Sequence, residues 1–164
     1  MLERMTRPQR AERLTHHSIS AIASTVLAFD YGVRRIGVAV GDAQLGTAHP
    51  LAPIAATQAA ARFAAIARLI EHWSPGRLVV GVAIGGDGTP SPGGRRAERF
   101  ARQLEGRWRL PVARVDEAYS SVAAESRLRE AAGARRAAQA SRARTLDSFA
   151  AQLILEQYFA EPRP

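Results

Sequence analysis

The 164-residue sequence predicts an α/β domain built on a mixed five-stranded sheet with helices on both faces. Three observations carry this. Two β-rich runs lie close together across a short glycine-containing link. A later strand is apolar without interruption, as strands covered on both faces are. The strands after the opening hairpin alternate with amphipathic helical stretches, so the order reads βββ–α–β–α–β–α–α.

The first run is Thr25–Asp30, followed by the turn Tyr31-Gly32, and the second is Arg35–Val40, which stops at Gly41-Asp42. Their spacing predicts a β-hairpin. A third strand is expected over Gly46–Pro53, where His49 and Pro50 mark an edge or a bend. Phe63, Ile66, Ala67, Ile70 and Trp73 recur at three- and four-residue steps and predict a helix over Thr57–Trp73, broken by Ser74-Pro75-Gly76. Arg77–Val82 is the apolar strand. A glycine- and proline-rich loop, Gly85–Gly94, leads to a helix over Arg95–Trp108, and Pro111–Val115 is the fifth strand. A helix over Ser121–Ala132 ends at Gly133, a residue type that favours helix C-termini. Gly133–Arg144 reads as a mobile basic loop or a helix end with a solvated face, and the last helix is Thr145–Phe159. Residues 1–24 read as a flexible extension or a misplaced start, and residues 25–160 as one domain.

The formal net charge is +8, and every one of the 23 basic residues is Arg. Coding bias produces such a composition. So does a partner made of phosphates, which guanidinium groups grip in bidentate fashion. Arg34, Arg35, Arg135, Arg136, Arg142 and Arg144 are the candidate nucleic-acid contacts; for Arg34 and Arg35, beside Asp30, contact with a scissile phosphate is favoured over merely balancing that acid. The absence of cysteine fits a reducing compartment without proving one. No run reaches the roughly 18 apolar residues of a membrane span, and a cytoplasmic location is expected.

Three carboxylates stand out. Asp30 ends an apolar strand beside a glycine turn, and reads equally as a functional group or a turn former. Asp116 and Glu117 follow the fifth strand, and alternation allows at most one of them to share a site with Asp30. Asp147 is expected in the first turn of the last helix, where acids are common for dipole reasons. Yet Ala150, Ala151, Ile154, Leu155 and Tyr158 follow at helical spacing and put it on the apolar face. Converging carboxylates are what a pair of hard divalent ions requires, and two such ions can cleave a phosphodiester. The glycine loop lacks the Gly-Lys-Ser/Thr ending of a nucleotide-binding loop and reads as a flap near the site, with Asp87 able to approach a metal. His16, His17, His49 and His72 show no metal-ligand spacing, and Trp73 and Trp108 fall on core stripes. An actin-like ATPase would need a second lobe and a longer chain.

At these residues the sequence resembles the YqgF family, small bacterial proteins described as pre-16S rRNA nucleases and earlier as Holliday junction resolvases. Four segments carry the resemblance, which runs from Val26 to Phe159: Leu27–Gly32 with Arg35–Val40; Leu78–Gly81 with Asp87–Thr89; Val115–Glu117; and Leu146–Ala151. The resemblance implies an RNase H-like fold and a metal-dependent endonuclease using Mg²⁺ or Mn²⁺. Asp30, Glu117 and Asp147 would then be the catalytic and metal-binding acids. It implies a role at the 5′ end of precursor 16S rRNA, with a junction resolvase or a non-catalytic nucleic-acid-binding factor as alternatives, acting as a monomer or homodimer. The sequence departs from the family after Glu117, where Ala118, Tyr119, Ser120 and Ser121 replace the usual Arg, Leu and two Thr, and after Val82, where Ala83 replaces the usual Pro.

Overall fold

The computed structural model of the chain describes residues 24–55, 57–117 and 139–161, with side chains in the last helix described from residue 146 onward. The expected extension up to residue 23, the helix expected at Ser121–Ala132, and Arg135 and Arg136 lie outside the described residues. So do the side chains of Arg142 and Arg144. Ser24, counted with the extension above, belongs to the folded body: it is buried, and its hydroxyl donates to Asp42 Oδ2 at 2.9 Å.

The described elements are β1 (Thr25–Tyr31), β2 (Ile36–Asp42), β3 (Thr47–Ile54), α1 (Ala59–Trp73), β4 (Arg77–Val82), α2 (Pro92–Trp108), β5 (Val112–Asp116) and α3 (Gln139–Ala160). They form a five-stranded sheet in the order β3-β2-β1-β4-β5. Strands β1, β2 and β3 are antiparallel neighbours, while β4 pairs parallel with both β1 and β5, so β2 alone runs against the other four. This is the RNase H-like arrangement.

Strand alternation sorts the core into two layers. Leu27, Phe29, Val38, Leu78 and Val80 face α1 and α2, meeting Phe63, Ile66, Phe100 and Leu104. Val26, Ala28, Ala39, Val79 and Val115 face α3, meeting Ala151, Ile154, Leu155 and Tyr158. The second layer is built from smaller sheet residues, which lets α3 approach closely. Trp73 and Trp108 pack against the first layer, as their stripe positions predict.

Two helices begin earlier than the sequence reading places them. α2 starts at Pro92 because Ser91 caps it, its Oγ accepting from the Gly94 amide at 3.0 Å, and proline suits the first helical turn. α3 starts at Gln139, so the end of the basic stretch, Gln139–Arg144, is helical and not loop. The glycine loop is also more ordered than a free flap. The Gly85 amide donates to Thr89 O at 2.7 Å and the Ser91 amide to Ala83 O at 2.8 Å, and Ile84 bridges Pro90. Asp87 accepts from the Thr89 amide and hydroxyl, which holds its carboxyl below the usual range and directs it into the loop.

Candidate active site

Asp30 is the penultimate residue of β1. Alternation puts it in line with Val26 and Ala28, on the face covered by α3. The residues flanking it in the sheet are glycines: Gly37 is its partner on β2, and Gly81 follows Val80, the β4 partner of Phe29. A Cβ on Gly37 would overlap the Asp147 backbone carbonyl. A Cβ on Gly81 would lie 2.5 Å from both Glu117 Oε1 and the Ile154 side chain. The two glycines therefore open floor space on either side of Asp30, one side taken by the α3 backbone at Asp147 and the other by the Glu117 carboxylate. Sequence reasoning overlooked both. The available signal was glycine inside an otherwise β-rich run, which marks close approach of another group.

Glu117 stands just beyond β5, its amide donating to Val82 O at 3.2 Å. Val115 packs on the α3 face, so alternation turns Asp116 away and brings Glu117 back toward Asp30. The Asp116 carbonyl accepts from Gln157 Nε2 at 3.2 Å, tying the end of β5 to α3. On the opposite face, Tyr31 braces the end of β1. Its ring packs 4.8 Å from that of Phe100, and its hydroxyl accepts from Arg62 Nη1 at 2.8 Å.

Asp147 lies more than two turns inside α3, because that helix begins at Gln139. The first-turn position expected from sequence is thus corrected, and a helix-dipole explanation for this acid falls away. Its placement comes from packing. Neighbouring Ser148 is buried and its hydroxyl donates to Leu51 O on β3 at 2.5 Å, while Gly37 admits the helix backbone. Arg35, from the β1–β2 turn, sets its Nε 3.1 Å from Asp147 Oδ2. That oxygen is shielded from solvent and makes no well-formed hydrogen bond, so the contact is an ion pair off hydrogen-bonding geometry. Arg34 is exposed in the same turn.

The electrostatics follow from crowding acids in a dry place. Burial pushes the Asp30 carboxyl up to about 7, with the Glu117 charge, a hydrogen bond to Glu117 and the Asp147 charge adding to it. Burial also raises Glu117, assisted by the charge of Asp116 and opposed by the hydrogen bond from Asp30. The hydrogen bond between the two raises Asp30 and lowers Glu117, so a proton on this pair is favoured on Asp30. Among the described residues, no three His, Cys, Asp or Glu side chains already enclose a common centre. The donor set is nonetheless all oxygen, it contains a proton-sharing acid pair, and it presents an orphaned carboxylate oxygen. These features suit a hard cation. His49 and His72 take no part: His49 is exposed on β3, and His72 packs edge-on against Trp73.

Asp30 and Glu117 thus lie at one end of the five-stranded sheet, with Asp147 of α3 near enough for its charge to act on Asp30. The family described as "RuvX: Holliday junction resolvase" matches residues 24–161, and the chain belongs to that family. It is therefore a member of a nuclease family, in the hydrolase class that cleaves phosphodiester bonds. A relative from Nitrosomonas europaea, named "Putative pre-16S rRNA nuclease", is 49% identical over 140 residues, covering 85% of this chain and 92% of the relative. One of the same name from Chromobacterium violaceum is 51% identical over 136 residues, covering 83% and 97%. Among solved structures, T. thermophilus RuvC in complex with Holliday junction substrate aligns with a TM-score of 0.49 at 16% identity, over 82% of this chain and 92% of that one.

Proposed function

We propose that the chain is a divalent-metal-dependent endonuclease on structured nucleic acid, acting in the cytoplasm at the 5′ end of precursor 16S rRNA, with Asp30, Glu117 and Asp147 as its catalytic acids. The observation that carries this is the buried Asp30–Glu117 pair beside Asp147, three acids crowded where burial disfavours their ionised forms, as is common at functional sites. The names of its relatives support the choice of RNA. In this reading Asp30 and Glu117 would release their shared proton to solvent and, with Asp147, would hold Mg²⁺ or Mn²⁺. Such an ion, when bound, supplies charge stabilisation to the attacking and leaving oxygens of a phosphodiester. The chain's own part is to fix the acids on rigid elements, exclude water from beneath them through the α3 layer, and attract the polyanion with its surplus of Arg.

The second reading is a four-way-junction resolvase, favoured by the description of the family. It requires two active sites on one symmetric substrate and hence a homodimer. Both substrates can be offered to the wild-type protein in Mg²⁺, with Glu117→Gln as control. We expect cleavage of 5′-extended 16S precursor by the wild type, and loss of that cleavage in Glu117→Gln. Symmetric junction cleavage by a dimer, with intact precursor, would reverse the choice. Binding without cleavage of either would identify a non-catalytic factor.

A further inference from the structure

Asp147 does not need Arg35 to hold its place. The α3 backbone is seated against Gly37, and the Ser148 hydroxyl bond to Leu51 O fastens the same turn to β3. The ion pair is partly open, with side chains 37% and 33% exposed, and Arg35 engages through Nε. Among the described residues its two terminal nitrogens have no partner. A guanidinium so placed neutralises an acid without being a structural post, and it keeps its fork available for a bidentate acceptor. The turn that carries it is tight: a Cβ on Gly32 would overlap the Arg35 carbonyl, so the base of the side chain is set by the hairpin while its end is not.

We propose that Arg35 is a built-in counter-ion for Asp147, displaced when a divalent ion takes that carboxylate and thereby released to grip a substrate phosphate. The proposal rests on the metal-site reading above and assigns Arg35 two exclusive partners. One consequence has opposite signs in two measurements, which a purely structural residue would not produce. Without nucleic acid, Arg35 competes with the metal; with nucleic acid, it assists binding.

The test is calorimetric titration of the full-length protein with Mn²⁺ alone, paired with cleavage kinetics, for wild type, Arg35→Ala and Arg35→Lys. Arg35→Ala is expected to bind Mn²⁺ about two- to fivefold more tightly, since it loses a partly exposed ion pair that the metal must break. Its KM for nucleic acid is expected to rise about tenfold, the loss of one charge-assisted phosphate contact. Arg35→Lys, which keeps the charge, is expected to restore the Mn²⁺ affinity toward wild type. Unchanged or weaker Mn²⁺ binding by Arg35→Ala, or an unchanged KM, overturns the exchange while leaving the metal site intact. Failure of the wild-type protein to bind Mn²⁺ overturns the metal site itself, and the exchange with it.

Discussion

Asp30→Asn is expected to abolish cleavage and to make the metal-free protein more stable, both from the same cause. The folded-state pKa of this carboxyl lies near 7 against an ordinary 3.8. A raised acid pKa means the folded chain binds the proton more tightly than the unfolded one. The stabilising contribution is complete below the ordinary value and is lost as pH rises toward the folded value. Wild-type stability in EDTA should therefore fall between about pH 4 and pH 7. Above that window the folded protein must carry an ionised Asp30 next to Glu117. An amide cannot ionise, and it can still donate to Glu117. Asp30→Asn should gain on the order of 1–3 kcal/mol at about pH 8 and little at about pH 4. Denaturant titration in EDTA at the two pH values measures this. Cleavage in Mg²⁺ should drop by ~10³-fold or more, the effect of losing several kcal/mol of transition-state stabilisation. Parallel pH profiles for the two proteins would mean that Asp30 is not held protonated. A stability gain at functional cost is the pattern expected of an active-site acid.

Gly37→Ala is expected to be the most disruptive single methyl group in the sheet. Its Cβ would coincide with the Asp147 backbone carbonyl, a neighbour that cannot rotate aside, so α3 must lift from β2. Overpacking against a fixed backbone should cost roughly 3 kcal/mol or more. That corresponds to a fall in Tm of about 6–12 °C for a domain of this size. Because the lifted segment carries Asp147, activity should fall further than stability alone explains. Gly106→Ala is the matching control. That helical position has open space for a Cβ, so alanine should be neutral or slightly stabilising. Thermal unfolding of the two variants, with cleavage measured well below either Tm, separates displacement of Asp147 from general loss of fold.

Much of the scaffold is legible in sequence because its signals are local. The hairpin is announced by two β-rich runs and a glycine link, and β4 by an apolar run whose predicted bounds, Arg77–Val82, coincide with the observed strand. Pro92-Gly93-Gly94 misleads, because those residue types favour loops, while the cap at Ser91 and the packing of Gly94 against Ala83 O draw them into α2. The start of α3 is hidden for a related reason: Gln139–Arg144 lacks an apolar stripe, so periodicity stops before the helix does.

The site is legible in part. The apolar stripe of α3 predicts that Asp147 faces inward, and it does, though from inside the helix and not from its first turn. Strand alternation allows only one of Asp116 and Glu117 beside Asp30, but which one depends on how the chain leaves β5. What the sequence does not display are pairings between distant segments. Arg35 looks like a neighbour of Asp30, yet its ion pair is with Asp147. Gly37 and Gly81 look like ordinary strand residues until α3 and Glu117 are set against them.

Whether Asp30, Glu117 and Asp147 form one metal site is tested most directly by anomalous diffraction from crystals of the protein soaked in Mn²⁺. The expected result is an anomalous peak bonded to the Asp30 and Glu117 carboxylates, with their hydrogen bond gone and Asp147 turned toward the ion and away from Arg35. Anomalous density only elsewhere, with the Asp30–Glu117 hydrogen bond and the Arg35–Asp147 pair intact, would contradict it.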